Sequence, residues 1–373
     1  MATRLGLAAF TYFFGVLREP LPGSLHALAQ TWMRWDGWWY YWIARDGYTT
    51  SHTAGFFPLY PALTAGVNLL VGGHHLMLAD FAVAQVAALA AFAGLGLLAS
   101  REGGGQESAW RTMRVAAAYP LAFFLAAPYT DGLFLACAAF ALFSARAGAW
   151  RWAALAAFLA ALTRPTAIAL MPALLWEYGR QNGLGREEAS WDWRRLWRWR
   201  TAAGGAAAVL AVPAGFAVYM GYLWSRFGDP FLYFTVQQRD WDHKFEWPWR
   251  TASTLVTHFL HSPPWTPLAA FQWIDVVPWV LFAALTVLTV RRIPFAFTLY
   301  MAALLALLVA TPSLKVPDIL PSNGRYLLAS VPIFWLLATW TARRPWLDML
   351  IVSAGFLLQA VFAMQFITDR WIG

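Results

Sequence analysis

Apolar residues in this chain run in long blocks separated by short polar breaks. The blocks lie at residues 3–20, 76–99, 112–128, 130–148, 151–163, 166–178, 202–225, 274–290, 293–311, 326–341 and 346–367. About 20 consecutive apolar residues is the length of a helix that crosses the hydrocarbon core of a bilayer, and only helices and closed barrels satisfy their backbone there. The pattern predicts an all-α polytopic membrane bundle of about 11 segments, in one domain covering 1–373. No repeat, low-complexity tract or soluble domain interrupts it. Blocks 151–163 and 166–178 are short and flank Arg164–Pro165. A single helix through this point would hold a lone cation at mid-membrane, which is costly. Two short or tilted helices meeting at an outward-facing Arg164 avoid that cost.

Charge orients the bundle. Sixteen of the 27 Lys and Arg residues, among them Arg4, Arg101, Arg146, Arg186, Arg194 and Arg291, fall on one side if the N-terminus is inside. That is the side on which such residues gather. The stretch 56–73, FFPLYPALTAGVNLLVGG, is apolar enough to be a span. Counting it as one would move Arg101, Arg111, Arg114, Arg146 and Arg151 outside, so it is read as a helix lying in or dipping into the outer interface, with Pro58 and Pro61 at its entry turn. The outer face then gathers a first loop, 18–75, with interfacial helices, a second large loop, 226–273, and the stretch 312–325. RRLWRWR (194–200) becomes an inner segment suited to anionic headgroups.

Composition agrees. The chain is 60% hydrophobic and 12% charged, against about 25% charged in soluble domains. Leu5–Leu17 after Arg4 reads as a signal anchor, because no small-residue cleavage site closes it. Cys137 is the one cysteine, which excludes a disulfide within the chain and suggests a packed thiol. The net charge of +8, distributed as above, implies lipid rather than nucleic acid.

The spans themselves are almost free of charge; Asp80, Asp131, Asp275 and Asp348 sit at their expected ends. Coupled transporters keep ionisable groups at mid-membrane, whereas here polar residues collect at one surface. RWDGWWYYWIARDGY (34–48) stands out, with five aromatic residues in succession, Trp38–Trp42, between charged flanks. Such rings settle at headgroup level. Asp36, held among indoles, would be partly desolvated and more basic, suited to deprotonating an attacking hydroxyl. The plainer alternative is a salt bridge from Asp36 to Arg34 or Arg45 on an interfacial helix. Arg164, Lys244, Lys315 and Arg325 are outer cations able to hold a phosphate. Tyr129 and Asp131 in APYTDGLF lie on the same face, where Asp131 could simply cap the next helix. His258 and His261 have a metal-pair spacing, and His74 and His75 are adjacent, but no carboxylate or Cys completes a set. No phosphate loop, nucleophile elbow or HExxH is present. The sequence calls for no cofactor and leaves a divalent metal open.

RWDGWWYYWIARDGY followed by FFPLYPAL resembles the opening of the PIG-V family of mannosyltransferases, bacterial members included. PYTDGLF (128–134), LTRPTAIALMPALL (162–175), QQRDW with WPW (237–249) and NGRYLLASVPIF (323–334) follow in the family's order. The resemblance covers about residues 30 to 340. It implies a GT-C glycosyltransferase fold with an outward-facing site, and a polyprenyl-phosphate sugar donor, with mannose the sugar. Asp36 corresponds to the family's first-loop aspartate, the general base of a direct, inverting displacement. Arg164 and Arg325 are assigned to the donor phosphate, and Arg34, Trp35, Tyr60, Tyr129, Asp131 and Tyr326 to the lining of the site. The short, Arg/Ala/Trp-rich chain suggests a GC-rich bacterium and its cytoplasmic (inner) membrane. Glycan, lipid and protein acceptors stay open, as does the exact sugar. Two non-enzymatic alternatives are a lipid or glycan flippase, against which the charge-free spans argue, and an accessory membrane subunit.

Overall fold

The computed structural model describes residues 6–7, 9, 11–12, 25–182, 199–261, 263, 266–313 and 318–372. Most of the expected first segment, most of RRLWRWR, Arg186 and Lys315 lie outside the described residues. The helices are α1 (Leu25–Gln30), α2 (Asp36–Asp46), α3 (Leu59–Leu70), α4 (Leu76–Glu102), α5 (Gly105–Ala117), α6 (Asp131–Arg146), α7 (Trp150–Ala161), α8 (Leu170–Gln181), α9 (Trp199–Phe227), α10 (Leu232–Trp241), α11 (Pro248–His261), α12 (Pro267–Leu288), α13 (Phe295–Ala310), α14 (Asn323–Tyr326), α15 (Val331–Thr341) and α16 (Pro345–Ile367). No strand occurs among the described residues beyond an isolated bridge between His243 and Ser313. Among the described residues three helices, Leu76–Glu102, Gly204–Phe227 within α9, and α16, are long and apolar enough to cross a membrane.

The core is built on small residues. α4 buries Ala84, Ala87, Ala88, Ala91, Leu95 and Leu98 at helical spacing against α6. A Cβ at Gly94 would stand 2.9 Å from Ala139 Cβ, so the two backbones approach as closely as small side chains allow. α9 packs along α7 in the same way, α13 lies on α8, and α15 lies on α5.

Several expected segments are interrupted. Block 112–128 is not one helix: α5 ends at Ala117, and a 3-10 turn, Ala122–Leu125, follows Pro120. Proline has no N–H to donate and its ring clashes with the preceding turn. Block 326–341 is also divided, into the end of α14, a 3-10 turn over Leu327–Ala329, and α15 starting beside Pro332. Block 151–178 is the divided pair the sequence implies, α7 and α8 joined through Arg164 and the 3-10 turn Pro165–Ala169. The 12 residues of α3 span roughly 18 Å, too little for a core about 30 Å thick. Pro58 precedes α3 and Pro61 lies in its first turn, and the Leu59 N–H donates to Leu162 O at the end of α7.

The two long loops meet. α10 packs on the 3-10 turn Ser51–Gly55. His52 Nδ1 lies 2.5 Å from Asp240 Oδ2, Arg239 donates to Ser51 Oγ at 3.3 Å, and the Trp241 ring covers Gly55. A second charged group lies at the far end of α6, where Arg146 binds Glu102 at 2.6 Å and Glu177 at 3.3 Å.

Candidate functional site

The site forms where α2, the PYTDG turn, the α7–α8 junction and α14 converge. Asp36 is the first residue of α2, where unsatisfied N–H groups favour a carboxylate. Trp35, just before it, has φ 40, a left-handed conformation that a bulky side chain rarely adopts. Packing holds Trp35 there, with its ring edge-on to Phe366 and Trp371. The Arg34 carbonyl closes the turn, accepting from the Gly37 N–H at 2.8 Å and from the Tyr129 hydroxyl at 2.8 Å.

Asp36 does not pair with Arg34 or Arg45. Its Oδ2 lies 3.1 Å from Arg325 Nη2. Arg45 binds Asp46, and Arg34 turns away to donate to Ile367 O at 2.8 Å and meet Asp369 at 3.6 Å. Asp36 is therefore a carboxylate facing a cation, not one held by indoles alone.

Arg164 is corrected from an outward-facing cation to a buried one. Its Nη2 binds Asp131 Oδ2 at 2.6 Å and its Nε donates to Thr130 Oγ1 at 2.7 Å. Asp131 is not a helix cap: Thr130 occupies that position, no side chain caps the α6 N-terminus, and the carboxylate is wholly buried against Arg164. Arg325 Nε stands 3.9 Å from the other oxygen of Asp131. Two carboxylates and two guanidiniums thus form one group whose formal charges cancel. Tyr326 joins it, with both guanidinium carbons 5.1 Å from its ring, while Phe124 and Tyr129 lie 5.2 and 5.3 Å from Arg325.

Arg325 is 3% exposed, yet its Nε and Nη1 make no hydrogen bond, and neither does Asp131 Oδ1. Leaving buried donors unmade is costly, and most such groups find a partner. A planar guanidinium with free donors beside a second arginine suits a phosphate oxygen. Burial disfavours the Arg325 cation, but Asp36 and Asp131 more than offset this and keep it charged well above the usual arginine range. Burial first, and then Asp36, push the Tyr40 and Tyr129 phenols up, so both remain neutral.

Of the expected lining residues, Asp131 is part of the charged group, and Tyr129 and Tyr326 touch it. Tyr60 stands behind it, donating to Asp80 O at 3.0 Å and packing edge-on to Tyr40. Among the other candidates, Lys244 lies 3.4 Å from Glu246, and His261 Nδ1 contacts Thr257 O. No three metal-ligating side chains converge among the described residues. The sequence reading missed Tyr40, Thr130 and Phe124. Tyr40 is one turn on from Asp36 and Thr130 adjoins Asp131, which is a usable signal; nothing marks Phe124. No protein-family model and no curated protein matches this chain.

Proposed function

We propose that this protein is a multi-pass membrane glycosyltransferase of the GT-C kind, transferring a sugar, mannose foremost, from a polyprenyl-phosphate donor to an acceptor hydroxyl. The acceptor is a glycan, lipid or protein at the outer face of a bacterial cytoplasmic membrane, and the N-terminus is inside. The observation that carries this reading is Asp36 paired to a buried Arg325 of which two nitrogens make no hydrogen bond. The motif resemblance and the apolar helices support it.

In this reading the donor phosphate binds Arg325 and draws it from Asp36. Asp36 then takes the proton of the acceptor hydroxyl as its oxygen bonds to the anomeric carbon on the face opposite the phosphate. The bond from that carbon to the phosphate oxygen breaks with its electron pair, and the configuration inverts. The leaving oxygen gains a negative charge that Arg325 and Arg164 offset in a water-poor setting.

The test is transfer from radiolabelled polyprenyl-phosphate mannose by purified protein in lipid, with a membrane extract of its source organism as acceptor. Wild type and Asp36→Asn run in parallel, with donor binding measured on both. Transfer lost in a variant that still binds donor supports enzyme and base together. Equal transfer by both removes Asp36 from the chemistry. No transfer or donor binding by wild type favours a flippase or accessory role.

A further inference from the structure

Arg325 is only as well placed as the peptide that precedes it. The Gly324 N–H donates to Asp275 Oδ1 at 2.5 Å, and the Gly324 carbonyl accepts from the Tyr119 hydroxyl at 2.7 Å. Both backbone polar groups of Gly324, which belong to the two successive peptide units flanking it, are held by side chains from other segments, the first half of α12 and the turn after α5. Asp275 and Tyr119 are themselves buried, at 2% and 8% exposure. Gly324 has no room for a side chain: a Cβ would stand 2.8 Å from Ile274 O, 2.9 Å from Leu121 Cδ1 and 3.2 Å from Asp275 Oδ1. The Asp318 carboxyl lies close enough to Asp275 for the two to interact electrostatically. The other wall is Tyr119 itself, with its ring against Phe282 and Phe334.

We propose that Asp275 and Tyr119 are positioning residues that clamp the Gly324 peptide and so aim the Arg325 guanidinium between Asp36 and Asp131. This deepens the proposed function and rests on it for its catalytic meaning, but the clamp can be read without any transfer assay. An arginine whose donors must meet a phosphate within a few tenths of an ångström loses much of its value if its backbone shifts by one. α14 has four residues, too few to hold that position by helical hydrogen bonding alone.

The experiment uses the full chain in detergent and measures labelling of Arg325 by an arginine-selective dicarbonyl, read by mass spectrometry, with hydrogen exchange across residues 320–328. Wild type, Asp275→Ala, Asp275→Asn, Tyr119→Phe and Gly324→Ala are compared, each checked for monodispersity. The expected result is that Asp275→Ala and Gly324→Ala raise labelling and exchange about tenfold, and Tyr119→Phe less. Asp275→Asn, which keeps an acceptor oxygen for Gly324, stays near wild type. In the transfer assay Asp275→Ala lowers kcat and weakens donor binding, and Asn rescues both. If Arg325 in Asp275→Ala is as protected as in wild type, the clamp is overturned. So it is if Asn exposes Arg325 as fully as Ala, since the acceptor bond would then not be the cause. Should wild type transfer no sugar while the labelling pattern holds, the enzymatic reading fails and the clamp survives. If Asp275→Ala or Gly324→Ala aggregates, Tyr119→Phe, which removes one oxygen atom, carries the test: protection equal to wild type overturns the clamp.

Discussion

Arg325 lies against Asp36, with 3.1 Å between guanidinium and carboxylate, although the two belong to opposite ends of the chain. Each is the partner the other would lose on binding a phosphate and a hydroxyl. Asp36→Asn keeps the shape and removes the base. If the proposed function holds, transfer falls by about 10²-fold or more, while donor binding, assigned there to the arginines, persists. Initial rates and equilibrium binding on the same preparation check this.

Arg325→Lys tests the geometry of the cation rather than its sign. A lysine gives one point of charge on a flexible stem, not a planar fork. Donor affinity falls about tenfold, or about 1.4 kcal/mol. Binding titration against a phosphate-bearing polyprenyl analogue measures the change.

The Arg164–Asp131 pair is almost fully out of water, with side chains 9% and 0% exposed. Removing one partner leaves a buried charge without compensation. Asp131→Ala destabilises the protein by about 3–5 kcal/mol, and the double change Asp131→Leu with Arg164→Leu by less. Thermal unfolding in detergent ranks the two.

His243 sits in the loop that bridges to Ser313. Burial holds its imidazole below the ordinary value of 6.5, and Asp242 pulls the other way. The unfolded chain therefore takes up a proton before the folded one does. The resulting stability is complete above about pH 6.5 and is lost as pH falls toward the lowered folded value. The unfolding midpoint of wild type drops between pH 7 and 5.5 by more than that of His243→Gln.

Much of the site was legible because charge is conspicuous in an apolar chain. Asp131, Arg164 and Arg325 each adjoin a block end, Asp36 flanks the aromatic run of the first loop, and all four converge. Their pairing was not legible. Nothing local tells Asp36 to choose Arg325 over Arg34, whose own partners lie beyond residue 366. Nor does apolarity reveal where a run stops being helical. Residues 112–128 read as one span because Leu121–Leu125 are apolar, yet the missing N–H of Pro120 turns the chain inside the core. Asp275 looked like a helix-end residue, and its bond to Gly324 joins segments that share no periodicity.

Helix α6 bears Asp131 at its first residue and Arg146 at its last, each in a multi-residue ion group. Its 16 residues measure roughly 24 Å, less than a hydrocarbon layer of about 30 Å. In the membrane placement proposed above, the two ion groups stand closer together than the layer is thick, a mismatch that the surrounding lipid can meet by thinning. The protein would then carry its own dimple in the leaflet. A headgroup drawn into that depression loses neighbouring water before any contact forms, and lipids with shorter acyl chains, which bend to it at less cost, would favour its arrival.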